Sequence, residues 1–308
     1  MKLKIFFCSL ILSVLTGCFT GVENTGRISE KDVSRVKADK KLKEELFLES
    51  ILPEPFIQWR SGKQFYVTDD NIKLIFNPSN DYNLEKISLK GSTLQYKGYK
   101  YEKEIDNTEV VVLSFLHNDN VFKYNTGKTI DDLSKLNPEN VVPFVIDLDY
   151  VQLMDSLLTG KDLYIKTSLW MNEDLMYING LHYVPVKITS VNVGNEVYPF
   201  LANFEHNGNS ACVFMSSQAS SMKNMTFDKL FSFSDIRQKY PSIKDDNWNK
   251  ITRGQVALNM TKEECSLSLG APRTIDRNPT HGGLYERWTY DNGVYLIFED
   301  GILIKYRN

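Results

Sequence analysis

Apolar positions divide the chain into stretches with different periods. Residues 5–15 form one apolar run broken only by Ser9 and Ser13. As a helix it spans roughly 16 Å at ~1.5 Å per residue, about half of a ~30 Å hydrocarbon core. Residues 29–55 follow helical spacing, with Val33, Val36, Leu42, Leu46 and Ile51 on one stripe and Lys and Glu on the other face. Ser29 with Asp32 forms a capping-box pattern at its start, and Pro53 and Pro55 end it. Glu44, Glu45 and Glu49 oppose a membrane-surface role, so an amphipathic helix packed on the first domain is expected. From 56 to 220 the pattern becomes short and strand-like, rich in β-branched and aromatic residues: "QFYV", "VVVLSF", "DLYIKTSLW", "HYVPVKITSV".

That strand region repeats. "GKQFYVTD" from Gly62 matches "GKDLYIKT" from Gly160, and "FLHNDN" from Phe115 matches "FEHNGN" from Phe204. The offsets are 98 and 89 residues, which one insertion of about nine residues in the first copy reconciles. Two related small antiparallel β units are expected, at 56–135 and 136–220, each closed as a barrel or sandwich. The Asn-Asp and Asn-Gly pairs after His117 and His206 tolerate positive φ and predict hairpin turns. A metal or ligand site at these two histidines is the functional alternative, but one histidine per turn supplies only one ligand. His182 is expected in a strand and His281 in a loop.

Residues 221–250 read as a helical connector, with one short helix ending before Pro241 and a second from Ser242, capped with Asp245. In "MTKEECSLSLGAP", residues 260–272, Thr261 and Glu264 form a capping box, Met260 and Cys265 a hydrophobic staple, and Gly270 with Pro272 the stop. "LYERWTYD", "GVYLIFED" and "GILIKYRN" follow as three strands, joined at Asn292-Gly293 and Asp300-Gly301. The fold class is therefore α+β, mostly β: two β units, then a helix-helix-three-strand meander domain at 251–308.

Two resemblances add to this reading. Leu15-Thr16-Gly17-Cys18 resembles the lipobox of bacterial lipoproteins at all four positions. It implies a signal peptide at 1–17, a diacylglyceryl thioether on Cys18, acylation of the new amine, and a flexible tether at 18–28. More than one acyl chain is needed for lasting attachment. Phe19, in place of an aspartate, and the lack of an acidic cluster after Cys18 favour the outer membrane over the inner, and its periplasmic face over the cell surface. The C-terminal residues Ile251, Gly254, Met260-Thr261, Leu269-Gly270-x-Pro272, Glu286-x-Trp288-x-Tyr290, Leu296-x-Phe298 and Gly301 resemble the SmpA/OmlA (BamE-like) domain. Asn259 stands where that family has glycine before Met-Thr. The resemblance implies an accessory role in outer-membrane assembly, and its matching residues are caps, turns and core rather than a site.

Composition changes little. The chain has 308 residues, room for two or three domains, with 42% hydrophobic and 24% charged residues. Losing Lys2 and Lys4 with the leader leaves 34 basic against 39 acidic residues, which excludes bulk-charge binding of nucleic acid. Cys212 and Cys265 remain after Cys8 and Cys18 are accounted for, as buried thiols or a disulfide.

No catalytic pattern stands out. Gly127-Lys128-Thr129 lacks the first glycine of a phosphate loop, since position 122 is Phe. Asp147-Leu148-Asp149 lacks the rest of a calcium loop and reads as a solvated turn. Asp69-Asp70 and Asp131-Asp132 suit turns or helix starts. No enzyme, cofactor or metal is expected. A non-enzymatic scaffold or accessory factor, with an envelope protein as partner, is the first expectation. The alternative is a surface-displayed lipoprotein that binds glycan or host protein, with exposed aromatics among Trp59, Trp170, Tyr99 and Tyr101.

Overall fold

The computed structural model describes residues 43–77, 86–217, 225–280, 283–291 and 293–307. Cys18, the expected leader and tether, and residues 29–42 of the expected first helix lie outside the described residues. The described part of that helix is α1 (Lys43–Ser50). The fold is α+β and mostly β, with three antiparallel sheets, one of them a curled half-barrel.

The first sheet is built from β1 (Gln64–Val67), β2 (Thr93–Lys103), β3 (Glu109–His117), β4 (Asn120–Asn125) and β5 (Val145–Asp147), in the order β4-β3-β2-β1-β5. Helix α2 (Ile130–Lys135) precedes β5 and starts at a capping box between Thr129 and Asp132. Next come α3 (Leu148–Leu158), β6 (Asp162–Ile165), β7 (Leu169–Met171), β8 (Tyr177–Asn179), β9 (Val184–Val193), β10 (Phe200–His206), β11 (Asn209–Met215), α4 (Phe227–Leu230) and β12 (Phe231–Ser232). Their sheet runs β12-β6-β9-β10-β11-β7-β8.

Apart from β7 and β8, the two orders are the same, and so are the registers. Phe65 faces Leu94 and Leu163 faces Val186. Phe115 faces Tyr96 and Phe204 faces Ile188, each pair next to a bulge. Gly62 and Gly160 take φ of 101° and 81°, which a side chain resists. Each then donates its N–H to the carbonyl at the bulge, Tyr96 or Ile188, at 2.8 Å. The offset is 98 on the first strand, 92 on the second and 89 on the third. The nine extra residues of the first copy are thus split between two connections, not placed in one. In both copies the first connection reaches the fourth strand: Phe76 bridges Tyr124, and β7 pairs with β11. Each sheet also draws its last strand from further along than residues 135 and 220. β5 and β12 are three and two residues long, too short to show a period.

Each sheet has its own apolar core. Phe65, Leu94, Tyr96, Leu113, Phe115 and Phe122 fill the first. Leu163, Ile188, Phe200, Phe204 and Val213 fill the second, covered by Val151, Met154 and Leu158 of α3. Phe47 and Leu48 of α1 pack on the second core, not on the first as the sequence suggested, with Phe47 4.6 Å from Phe227 of α4.

The C-terminal domain holds α5 (Asp245–Ile251), α6 (Lys262–Leu269), β13 (Thr274–Thr280), β14 (Gly283–Thr289), β15 (Tyr295–Glu299) and β16 (Ile302–Arg307), with its strands in chain order. The Thr261–Glu264 capping box forms, Gly270 ends α6 at φ 79°, and Met260 and Cys265 share the core with Trp288, Leu296 and Phe298. Asn259, at the position where the resembled family has glycine, takes φ 69°, a left-handed conformation that asparagine tolerates. A fourth strand, β13, joins the three expected. Its sequence TIDRNPT has poor strand propensity, and its Pro279 is tolerated on an edge. The connector's first helix is a 3-10 turn, Ile236–Lys239. The second begins at Asp245 rather than Ser242, and no side chain caps it. Asp245 is bound instead by Arg237.

Candidate functional site

The repeated histidines are structural ties. In the first copy the His117 ring binds Thr93 O through Nδ1 at 3.0 Å, and Nε2 accepts from the Asn118 amide at 3.0 Å. His206 repeats this with Pro185 O at 2.7 Å and Asn207 at 3.0 Å. Both ring nitrogens are spent, so neither ring offers a lone pair to a metal. Asn118 and Asp119, and Asn207 and Gly208, have the positive φ expected of these turns. His281 lies outside the described residues.

Other expected residues are also accounted for. Asp69 caps a 3-10 turn and Asp70 accepts from Leu89 N and Lys90 N. Cys212 and Cys265 are free and buried, not a disulfide, and burial followed by the Glu264 charge pushes the Cys265 thiol up to about 12. Trp59 and Trp170 are buried and not exposed aromatics. Each anchors a core, Trp59 edge-on to Phe56 and Trp170 edge-on to Phe204. Tyr99 and Tyr101 are exposed, 5.6 Å apart.

A hollow lies at the seam between the two β units. It measures about 710 Å³, with Leu52, Pro53, Pro55, Leu136 and Leu153 among its walls. On its lining Lys63 is held by three carboxylates: Asp147 Oδ2 at 2.9 Å, Asp149 Oδ2 at 3.0 Å and Glu54 Oε2 at 3.1 Å. The Lys63 side chain is 2% exposed. Asp147, expected in a solvated turn, is instead 10% exposed and does two jobs. Its Oδ1 caps α3 by accepting from Asp149 N and Tyr150 N, and its Oδ2 holds the lysine. The correction arises because β5 pairs with β1 and sets Asp147 opposite Phe65, two residues from Lys63.

Burial alone would lower the Lys63 pKa, but Asp147, Asp149 and Glu54 hold it above its ordinary value. Burial pushes the Asp147 carboxyl up, and Lys63 offsets only part of that. A lysine so held is a fixed cation, not a base or nucleophile. Three carboxylates against one ammonium leave the rim acidic, with Asp149 61% and Glu54 38% exposed. Lys161, the counterpart in the second copy, is exposed, so this cluster belongs to the first copy alone. A second hollow of about 420 Å³ shares Pro138, Asp147 and Tyr150 and reaches Val197 and Pro199 of the second unit. Between the hollows, Tyr150 donates its hydroxyl to Ile51 O at 3.2 Å. Apolar walls with a few convergent charged groups are what a ligand-binding cleft presents. The sequence reading missed Lys63, and only the repeated Gly-Lys pair marked the position.

His182 sits where the second unit meets the C-terminal domain. Its backbone N–H donates to Thr252 O at 3.0 Å and its ring lies edge-on to Tyr183, 4.5 Å away. Burial pulls its pKa below the ordinary 6.5, with the Leu267 and Ile251 carbonyls opposing. The folded chain therefore prefers neutral imidazole, while the unfolded chain takes a proton below 6.5. This contribution is whole above pH 6.5 and is lost as pH falls through 6.5 toward the lowered value. Melting at pH 7.5 and 5.5 should show a larger acid loss for the native chain than for His182→Gln. Equal losses would refute it.

No family model matches this chain, and neither does any curated protein or solved structure.

Proposed function

We propose that this protein is a non-enzymatic scaffold or accessory factor of the cell envelope, anchored by lipid on Cys18 to the periplasmic face of the outer membrane. It acts there in assembly or maintenance of that membrane, by holding a polypeptide partner in the seam between its β units. The 710 Å³ cleft, apolar-walled and acidic at the rim, is the observation that carries the reading. The lipobox and the BamE-like residues support the place and the assembly role. Of the four aromatics on which a surface glycan reading rests, Trp59 and Trp170 are core residues, which favours the first reading.

The test is site-specific photocrosslinking in whole cells. A photoreactive residue at Leu153, inside the cleft, should trap an envelope protein on irradiation. The same residue at the fully exposed Ile105 should not. Cys18→Ser should move the protein out of the membrane fraction and abolish the adduct. Repeated absence of any adduct from Leu153, or equal adducts from both positions, overturns the proposal.

A further inference from the structure

A smaller pocket, about 210 Å³, lies where α1, the end of β6 and the C-terminal domain meet. Its charged and phenolic lining is Glu44, Lys166, Tyr183, Asp228, Lys239 and Tyr240, and the Asp228 carboxylate is paired with Lys229 at 3.6 Å. Glu44 and Lys166 carry opposite charges, yet no ion pair joins them among the described residues. Each has other partners instead. Glu44 Oε1 accepts from Phe233 N at 2.8 Å and from Ser232 Oγ at 3.0 Å. Lys166 Nζ donates to Asp228 O at 2.5 Å. Opposite charges lining one pocket ordinarily close on each other, because an unpaired buried charge is costly. Here the fold keeps them apart and leaves room between them.

The donors facing that room are not all used. An ammonium has three N–H groups, and Lys166 spends one on a protein partner. The hydroxyls of Tyr183 and Tyr240 make no hydrogen bond among the described residues. Burial, partly opposed by the Asp228 charge, holds the Lys166 amine below its ordinary range.

We propose that this pocket binds a small zwitterion, an α-amino acid of about the size of glycine or alanine. Its carboxylate lies against Lys166 and the two phenols, and its ammonium against Glu44. At about 210 Å³ the pocket has room for such a molecule. Ile236 and Leu267 give the small side chain an apolar wall. Leu267 belongs to α6, so the bound molecule ties the C-terminal domain to the second unit and to α1.

Calorimetric titration of the full chain at pH 7.5 with L-alanine, acetate and ethylammonium tests this. Alanine should bind, and acetate and ethylammonium should each bind at least tenfold more weakly. Lys166→Met and Glu44→Gln should each weaken alanine at least tenfold. Because either variant can disturb folding, saturation transfer from the native chain to the alanine methyl gives a second readout, expected with alanine and displaced by glycine. Absence of transfer and of heat with the native chain overturns the proposal. Binding of acetate as tight as alanine also overturns it, making the pocket a plain anion site. Normal alanine affinity in folded Lys166→Met does the same.

Discussion

Replacing Lys63 with methionine is expected to cost about 3–5 kcal/mol of stability at pH 7.5, the range for breaking a buried ion pair from one side. Methionine keeps most of the volume, so the loss is electrostatic. Most of it comes from Asp147, because Asp149 and Glu54 can turn to water. The pH dependence carries the sign. In the native chain the lysine contribution is present below its ordinary 10.5 and is lost only as pH rises through the raised folded value. In the variant the buried Asp147 carboxyl has no cation beside it and prefers its proton, so the deficit should shrink as pH falls from 7.5 to 5. Adding Asp147→Asn should recover part of the loss, since asparagine still caps α3 and brings no charge. Lys161→Met, the matched change in the second copy, should stay within about 0.5 kcal/mol. Urea unfolding of the three variants beside the native chain checks this, and a harmless Lys63→Met would remove the seam's electrostatic account.

What the sequence made legible was local. The repeat showed through Gly62 and Gly160, which need positive φ, and through the two His-Asn turns, whose ring contacts recur bond for bond. The capping box at Thr261 and the left-handed Asn259 were legible for the same reason: cap and turn chemistry lies within a few residues. The misses were long-range or weakly patterned. Asp147-Leu148-Asp149 looks like a turn because its partner lies elsewhere: Lys63 and Asp149 are 86 positions apart. Glu44 and Phe233, which set one side of the small pocket, are 189 apart. β5 and β12 are too short to show a period, and β13 is held by its neighbour β14 against its own propensity. Trp59 and Trp170 sit in strand-rich text that fits surface and core alike, and only packing decides between them.

Phe115→Ala and Phe204→Ala are expected to cost about 3–5 kcal/mol each, the range for truncating a fully buried phenylalanine. The two rings occupy matched positions and neither is exposed. Their surroundings differ in an informative way. Phe115 pairs across the strand with Phe122, whereas Phe204 pairs with Ala211. The second copy instead places Trp170, from β7, 5.1 Å from Phe204. The same backbone register is thus packed by a strand neighbour in one copy and by the hairpin of the first connection in the other. Since the rings belong to separate cores, each loss should stay local. Hydrogen exchange should quicken in β2 and β3 for Phe115→Ala and leave β9 and β10 protected, with the reverse for Phe204→Ala. The double variant should lose the sum of the two within about 0.5 kcal/mol, as independent sites do. A coupling well beyond that, or exchange that quickens in both sheets together, would mean that the duplicated units fold as one core, and the seam between them would then be interior packing rather than a groove open to a partner.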